Sequence, residues 1–304
     1  MASSELPPPP HQSPGLGAEP PLAFRFSAMA TEFELLLPGN FGSDAVLCTE
    51  ALRAEVDRLE ILLSRHLPES DISAINRSPV RGRTLVSADT RACLLAAYEL
   101  WARTNGAFDP TVGALLPQRV RWQDGCASYP ATAWGFENIQ LHPASREVER
   151  LQPGVQLDLG AIAKGYAIDA ALHVIEDWAP EWALISAGKS CVRMHRSPPS
   201  SHGWLFRFRD PRDEHTVLHE LWLHDQALST SARLDGHILD PDDARPAQAY
   251  EGTWAACSTA TEADALSTAA MLMDDDLFFS GAWGSPGAEL WRFSAARGLE
   301  HARA

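Results

Sequence analysis

The chain has 304 residues, 45% of them hydrophobic, and a formal net charge of −15. That length and apolar content allow one large core or two smaller ones without metal or disulfide staples. Acidity without any stripe of Lys and Arg excludes a phosphate-backbone footprint for nucleic acid, and no apolar run reaches transmembrane length.

Residues 1–21 carry a four-proline run at Pro7 to Pro10 and no signal-peptide core. A disordered Pro-rich tail is expected there, followed by one domain over 22–304 in a cytoplasmic protein. Five scattered cysteines, Cys48, Cys93, Cys126, Cys191 and Cys257, form no CxxC pair and read as small buried hydrophobes in a reducing compartment.

Residues 23–37 alternate as one strand, closed by the turn Pro38-Gly39-Asn40. A helix is predicted over 43–63, with Val46, Leu47, Ala51, Leu52, Val56, Leu59 and Leu62 as its apolar stripe and Ser43 or Asp44 as its cap. A second helix spans 87–104, burying Leu94, Leu95, Ala97, Tyr98 and Trp101, and stops at Asn105-Gly106. Irregular sequence over 113–137 precedes strands at 138–141, 147–150 and 155–159, then a helix over 163–177. Strands follow at 182–186, 204–209, 216–223 and 227–231, then a loop over 234–250, a helix over 260–273 and a strand near 288–292. Strands and helices mix without regular βαβ alternation, so the fold class is α+β, with mixed sheets and packed helices.

Four segments carry candidate chemistry. The stretch Asp158 to Asp169 joins a strand to a helix through Gly160 and sets Lys164 near the helix start. Free N–H groups, the helix dipole and a lysine make an anion cradle, although Gly160 and Gly165 serve equally for a tight turn and close packing. Asp264 and Thr268 share one helix face and offer oxygen to a hard cation; the plainer reading is a surface Asp and a Thr bonding back to its own helix. Residues 104–113 combine turn residues with Phe108 and Asp109, as a nucleotide contact or a capped loop. His237 and Asp240 lie three apart beside Pro241, where an imidazole can take a proton from an attacking hydroxyl.

Taken together, these segments resemble the ApbE family, the FAD:protein FMN transferases, in content and order from Met29 to Met273. The matching stretches are Met29-Ala-Thr31, Ser64 through Asn76, Gly106 through Gly113, Asp158 through Asp169, Thr230-Ser231, His237 through Pro241 and Ala263 through Thr268. The resemblance implies an ApbE/T-fold-like architecture in which FAD lies in a cleft with its diphosphate bridged by Mg²⁺. A Thr or Ser hydroxyl of a target protein then attacks the phosphorus on the FMN side and expels AMP, a reaction driven by positioning and electrostatics.

By the same resemblance, Mg²⁺ is held by Asp264, Thr268 and the carbonyl of Ala161. FAD contacts fall on Met29, His66, Ala107, Phe108, Asp109, Asp158, Lys164, Ile238 and Leu239. His237 is the implied base and Asp240 its positioning partner.

The chain departs from the family pattern at several points. Met-Gly-Thr reads Met29-Ala-Thr31, and an expected aromatic is His66. Gly-Gly-Asp reads Ala187-Gly-Lys189, and Asp-Pro-Arg-Thr-Gly reads Asp240-Pro-Asp-Asp-Ala244. These departures leave two further readings, a divergent FAD-binding protein without transfer and an Mg²⁺-dependent hydrolase giving FMN and AMP.

Overall fold

The structure is a computed structural model that describes residues 19–113, 115, 134–198, 202–233, 238–241 and 245–304. Residues 1–18 of the tail expected over 1–21, together with Cys126, His237 and residues 242–244, lie outside the described residues.

An antiparallel sheet of eight strands forms the centre. Its strands are β1 (Leu22–Ala28), β2 (Thr31–Leu37), β6 (Ala183–Ala187), β7 (Cys191–His195), β10 (Ala227–Ala232), β11 (Gly252–Cys257), β12 (Glu289–Ser294) and β13 (Gly298–Arg303), in that spatial order. Three short strands, β3 (Arg83–Leu85), β4 (Ile139–Leu141) and β5 (Glu147–Arg150), make a separate sheet, and β8 (Trp204–Asp210) pairs with β9 (Asp213–Leu223) as a hairpin. The helices are α1 (Asp44–Leu63), α2 (Asp71–Arg77), α3 (Ala88–Arg103), α4 (Ala163–Trp178), α5 (Ala260–Ala269) and α6 (Asp275–Ser280).

Both faces of the large sheet are covered. On one face Phe33, Leu35, Ile185 and Leu290 pack with Leu52, Val56 and Leu59 of α1, Ile168 and Ala171 of α4, and Leu266 of α5. On the other, Leu36, Leu184, Met194, Trp254 and Trp291 meet Trp204, Phe206 and Phe208 of the hairpin. Strands buried on two sides do not need polar alternation, which is why β6 and β11 are buried at every position.

The α+β class stands, with local corrections. The single strand expected over 23–37 is a hairpin: Ala28 pairs with Thr31, and Met29 and Ala30 turn the chain with φ of 50° and 57°. Positive φ at both central residues is the geometry of a tight turn matched to strand twist, normally signalled by Asn-Gly, and Met-Ala carries no such signal. On α1 the buried stripe is Ala45, Cys48, Leu52, Val56, Leu59 and Leu63, leaving Val46 and Leu47 exposed. Ser43 makes no side-chain cap bond there. On α3, Leu100 is buried in place of Tyr98, and Ser87 caps through its hydroxyl to the Thr90 N–H. Residues 155–159 form only an isolated bridge between Val112 and Gln156.

Two contacts fix α4 against α5. A Cβ on Gly165 would lie 2.2 Å from the Ala260 carbonyl oxygen and 2.9 Å from Asp264 Cβ, so the helices cross where glycine leaves room. Four residues on, the Asp169 carboxylate accepts from Ala260 N–H and Thr261 N–H, each at 2.8 Å, and from the Thr261 hydroxyl. One helix thereby caps another, satisfying N–H groups that α5 cannot pair internally.

Candidate functional site

A cleft of about 560 Å³ opens where the α4 N-terminus, the α5 face, the β6–β7 turn and the loops at 107–112 and 238–241 meet. It lies at the end of the central strands, beside β10.

Its floor is polar and ordered. Asp264, 4% exposed, receives the Gly165 N–H at 3.2 Å and the Ser229 hydroxyl at 3.4 Å, with the Lys164 ammonium 3.7 Å away. Lys164 also donates to the Gly160 carbonyl at 2.7 Å, so the first turn of α4 folds its own cation back over the turn that leads in. The Thr268 hydroxyl lies 3.4 Å from the Asp264 carbonyl and 3.3 Å from Ser231 Oγ. Ser231 reaches Ser267 at 2.9 Å, and Ser267 reaches Ser229 at 3.3 Å, which closes a hydroxyl network around the carboxylate.

The walls carry two more carboxylates in different surroundings. Asp158 bonds the Gly160 N–H at 2.7 Å and pairs with Arg65 at 3.0 Å, which ties the turn to the segment after α1. Asp109 is 7% exposed, and burial raises its pKa to about 6 despite bonds from the Thr111 N–H and hydroxyl. Desolvation outweighs those hydrogen bonds, as burial without a cation does. Phe108, Val112, Leu239 and Leu272 supply the apolar surface. Trp134 braces the rim, its indole N–H donating to the Pro241 carbonyl at 2.6 Å.

The cleft gathers Ala107, Phe108, Asp109, Asp158, Ala161, Lys164, Ile238, Leu239, Asp264 and Thr268, all singled out from sequence. Met29 and His66 do not line it. Met29 sits in the β1–β2 turn with its N–H held by Glu60 at 2.8 Å, and His66 is exposed beyond α1. Asp240 is placed by its N–H bond to the Arg245 carbonyl at 2.7 Å, and its neighbours Leu239 and Pro241 line the cleft. Asp264 is not the surface carboxylate of the plainer reading. The structure adds Lys189 and Ser190 from the β6–β7 turn, and Ser229 and Ser267 beneath the floor. A serine's spacing alone gives no signal of a contact with a carboxylate, and only the strand-helix packing reveals this pair.

The donors at the floor fit a hard cation. One buried carboxylate, one hydroxyl and the segment bearing the Ala161 carbonyl converge there. Among the described residues no group of three or more His, Cys, Asp or Glu could hold a metal alone. Such a set suits Mg²⁺ shared between the protein and ligand phosphates better than an all-protein cage. The described cysteines are free and buried, and burial pushes the Cys48 thiol to about 11, as inert core residues require.

The sequence profile of the ApbE family matches residues 29–280. Curated relatives include the FAD:protein FMN transferase of Escherichia coli K12, 24% identical over 271 residues, covering 81% of this chain and 76% of that protein. The FAD:protein FMN transferase of Chlamydia trachomatis is 28% identical over 239 residues, covering 70% and 72%. Among solved structures, the ApbE protein of Thermotoga maritima superposes with a TM-score of 0.79 at 26% identity, covering 93% of this chain and 97% of that one. The flavin transferase ApbE of Vibrio cholerae gives the same TM-score at 19% identity, with 93% and 96% covered.

Proposed function

Because the chain belongs to the ApbE family, we propose that it moves FMN from FAD onto a threonine or serine hydroxyl of a target protein, releasing AMP. One observation carries this reading: a lysine-bearing strand-to-helix turn and a buried carboxylate beside a threonine hydroxyl share a single cleft. Phosphoryl transfer needs little covalent help from a protein, and positioning plus charge neutralisation does most of the work.

In this reading Lys164 and the N–H groups of the 160–165 turn hold the FAD diphosphate, and Phe108, Ile238 and Leu239 cover its apolar parts. Asp264, Thr268 and the Ala161 carbonyl hold Mg²⁺, which when bound neutralises phosphate charge as AMP leaves. His237, outside the described residues, accepts the proton from the attacking hydroxyl, and Asp240 positions it. An O–P bond forms to the target side chain while the bond from that phosphorus to the AMP oxygen breaks. The Ser229, Ser231 and Ser267 network keeps the Asp264 carboxylate oriented without supplying charge.

Incubation of the purified chain with FAD, Mg²⁺ and a flavin-acceptor domain tests this. A fluorescent protein band together with AMP is the expected result. Free FMN with AMP would make the chain a hydrolase, and tight FAD binding with neither product would make it a binding protein.

A further inference from the structure

The chain contains 25 basic Lys and Arg residues, and only two are lysines, Lys164 and Lys189. Both line the cleft, and among its described lining residues there is no arginine. Lys164 is engaged, with Asp264 at 3.7 Å and the Gly160 carbonyl at 2.7 Å. Lys189 is exposed at the mouth and, among the described residues, makes no ion pair.

The backbone on either side of Lys189 is fixed. The Gly188 N–H donates to the Glu32 carbonyl at 2.7 Å, and a Cβ on Gly188 would lie 2.4 Å from Thr31 Oγ1. On the other side the Ser190 carbonyl accepts from the Thr230 N–H at 2.7 Å and the Ser229 hydroxyl at 2.8 Å. Ser229 itself touches Asp264. The turn that carries Lys189 is therefore tied through one hydroxyl to the carboxylate at the cleft floor. A free cation on a rigid base loses little backbone freedom on binding.

Lysine and arginine differ in what they suit. Guanidinium fits a planar, two-point partner, whereas ammonium is a compact charge that can follow a phosphate oxygen on a flexible stem. Either cation binds phosphate, and the chain's two lysines converge on this one cleft. We propose that Lys189 is a binding residue for the diphosphate of the ligand, reaching it from the β6–β7 turn as a second cation beside Lys164. This rests on the FAD reading of the same cleft.

The scarcity of lysine makes the test direct, because an amine-reactive acetylating reagent can modify side chains only at positions 164 and 189. Acetylation of the full chain in the presence of Mg²⁺ is followed by peptide mass spectrometry with no addition, ADP, FAD or riboflavin. ADP and FAD are expected to slow modification of Lys189 several-fold, and riboflavin, which lacks phosphate, to leave it unchanged. In parallel, Lys189→Ala should raise the Kd for FAD and ADP about tenfold, the scale of a charge-assisted contact discounted for exposure. Riboflavin affinity should hold, and Lys189→Arg should recover most of the loss. Equal FAD and ADP affinity in wild type and Lys189→Ala, with unprotected Lys189, would overturn the proposal while the flavin reading stands. So would a defect confined to the KM for the acceptor protein. A wild-type chain that binds neither FAD nor ADP would remove the flavin reading and the proposal with it.

Discussion

The Gly165 N–H donates to Asp264 Oδ2 at 3.2 Å across the crossing of α4 and α5. The bond is possible because Gly165 has no side chain: a Cβ there would meet the Ala260 carbonyl oxygen at 2.2 Å. A packing residue and a site residue are thus in direct contact, and the position of the carboxylate depends on how closely two helices approach.

Gly165→Ala sets two effects against each other. Alanine favours a helix over glycine by about 1 kcal/mol, but the clash is with backbone that cannot rotate away, and overpacking of this kind costs about 1–3 kcal/mol or more. The clash should win, giving a lower urea midpoint and a loss of activity larger than the stability change explains. A variant as stable and active as wild type would mean that the helices do not meet this closely.

Asp264→Asn is the cleaner test of the floor than Asp264→Ala, because alanine would orphan the buried Gly165 N–H at about 1–3 kcal/mol. The amide keeps an acceptor while removing the charge. Metal-dependent turnover should fall about 100-fold or more, with the melting temperature within a few degrees of wild type. Unchanged turnover with Mg²⁺ would sink the metal assignment.

Burial raises the Asp109 carboxyl to about 6, above its value in an unfolded chain. Between these values the folded state holds a proton that the unfolded state has released, so stability falls as pH rises through the window. The loss is about 3 kcal/mol once pH exceeds 6, from a shift of about two units. Asp109→Asn should remove that slope. The difference in unfolding free energy between variant and wild type, followed from pH 4 to 7, should grow with pH; a constant difference would contradict the buried, uncompensated carboxylate.

Ala30 has φ of 57° in the β1–β2 turn. A left-handed conformation costs a non-glycine residue about 1–2 kcal/mol, and a glycine returns about 0.4–1 kcal/mol of that through its freer unfolded chain. Ala30→Gly should therefore stabilise by about 0.5 kcal/mol net, read as a small rise in urea midpoint. Destabilisation would show that the turn is not left-handed in solution.

Long helices were readable from sequence because twenty residues such as Asp44–Leu63 repeat the same periodicity many times. Where the stripe lay was less readable, since Val46 and Leu47 are apolar and exposed. β11 escaped because Gly252–Cys257 is buried on both faces and shows no alternation. The β1–β2 turn escaped because Met-Ala carries no turn chemistry. At the site, Asp158, Lys164, Asp264 and Thr268 could be named because each belongs to a contiguous motif. Ser229 and Ser267 were not named, although Ser267 lies in the same motif as Asp264 and Thr268, because their roles appear only when β10 packs on α5. Lys189 stood in the sequence only as a departure from the family pattern, although the count of lysines already set it apart.

The large sheet ends in β1 on one side and β13 on the other, and among the described residues no further strand pairs with either; an unpaired edge is where another chain could add a strand. Each edge is laced with charge. Arg25 of β1 pairs with Glu34 at 2.7 Å, and Arg303 of β13 pairs with Glu289 of β12 at 3.1 Å, with the His301 ring nitrogen hydrogen-bonded to the same carboxylate at 2.7 Å. A ninth strand docking from a neighbouring molecule would have to strip water from these ions with no new partners in return. The edges therefore oppose fibril growth, and concentrated preparations should respond to charge-neutralising changes at Arg25 or Glu289 with clumping well before any loss of the cleft.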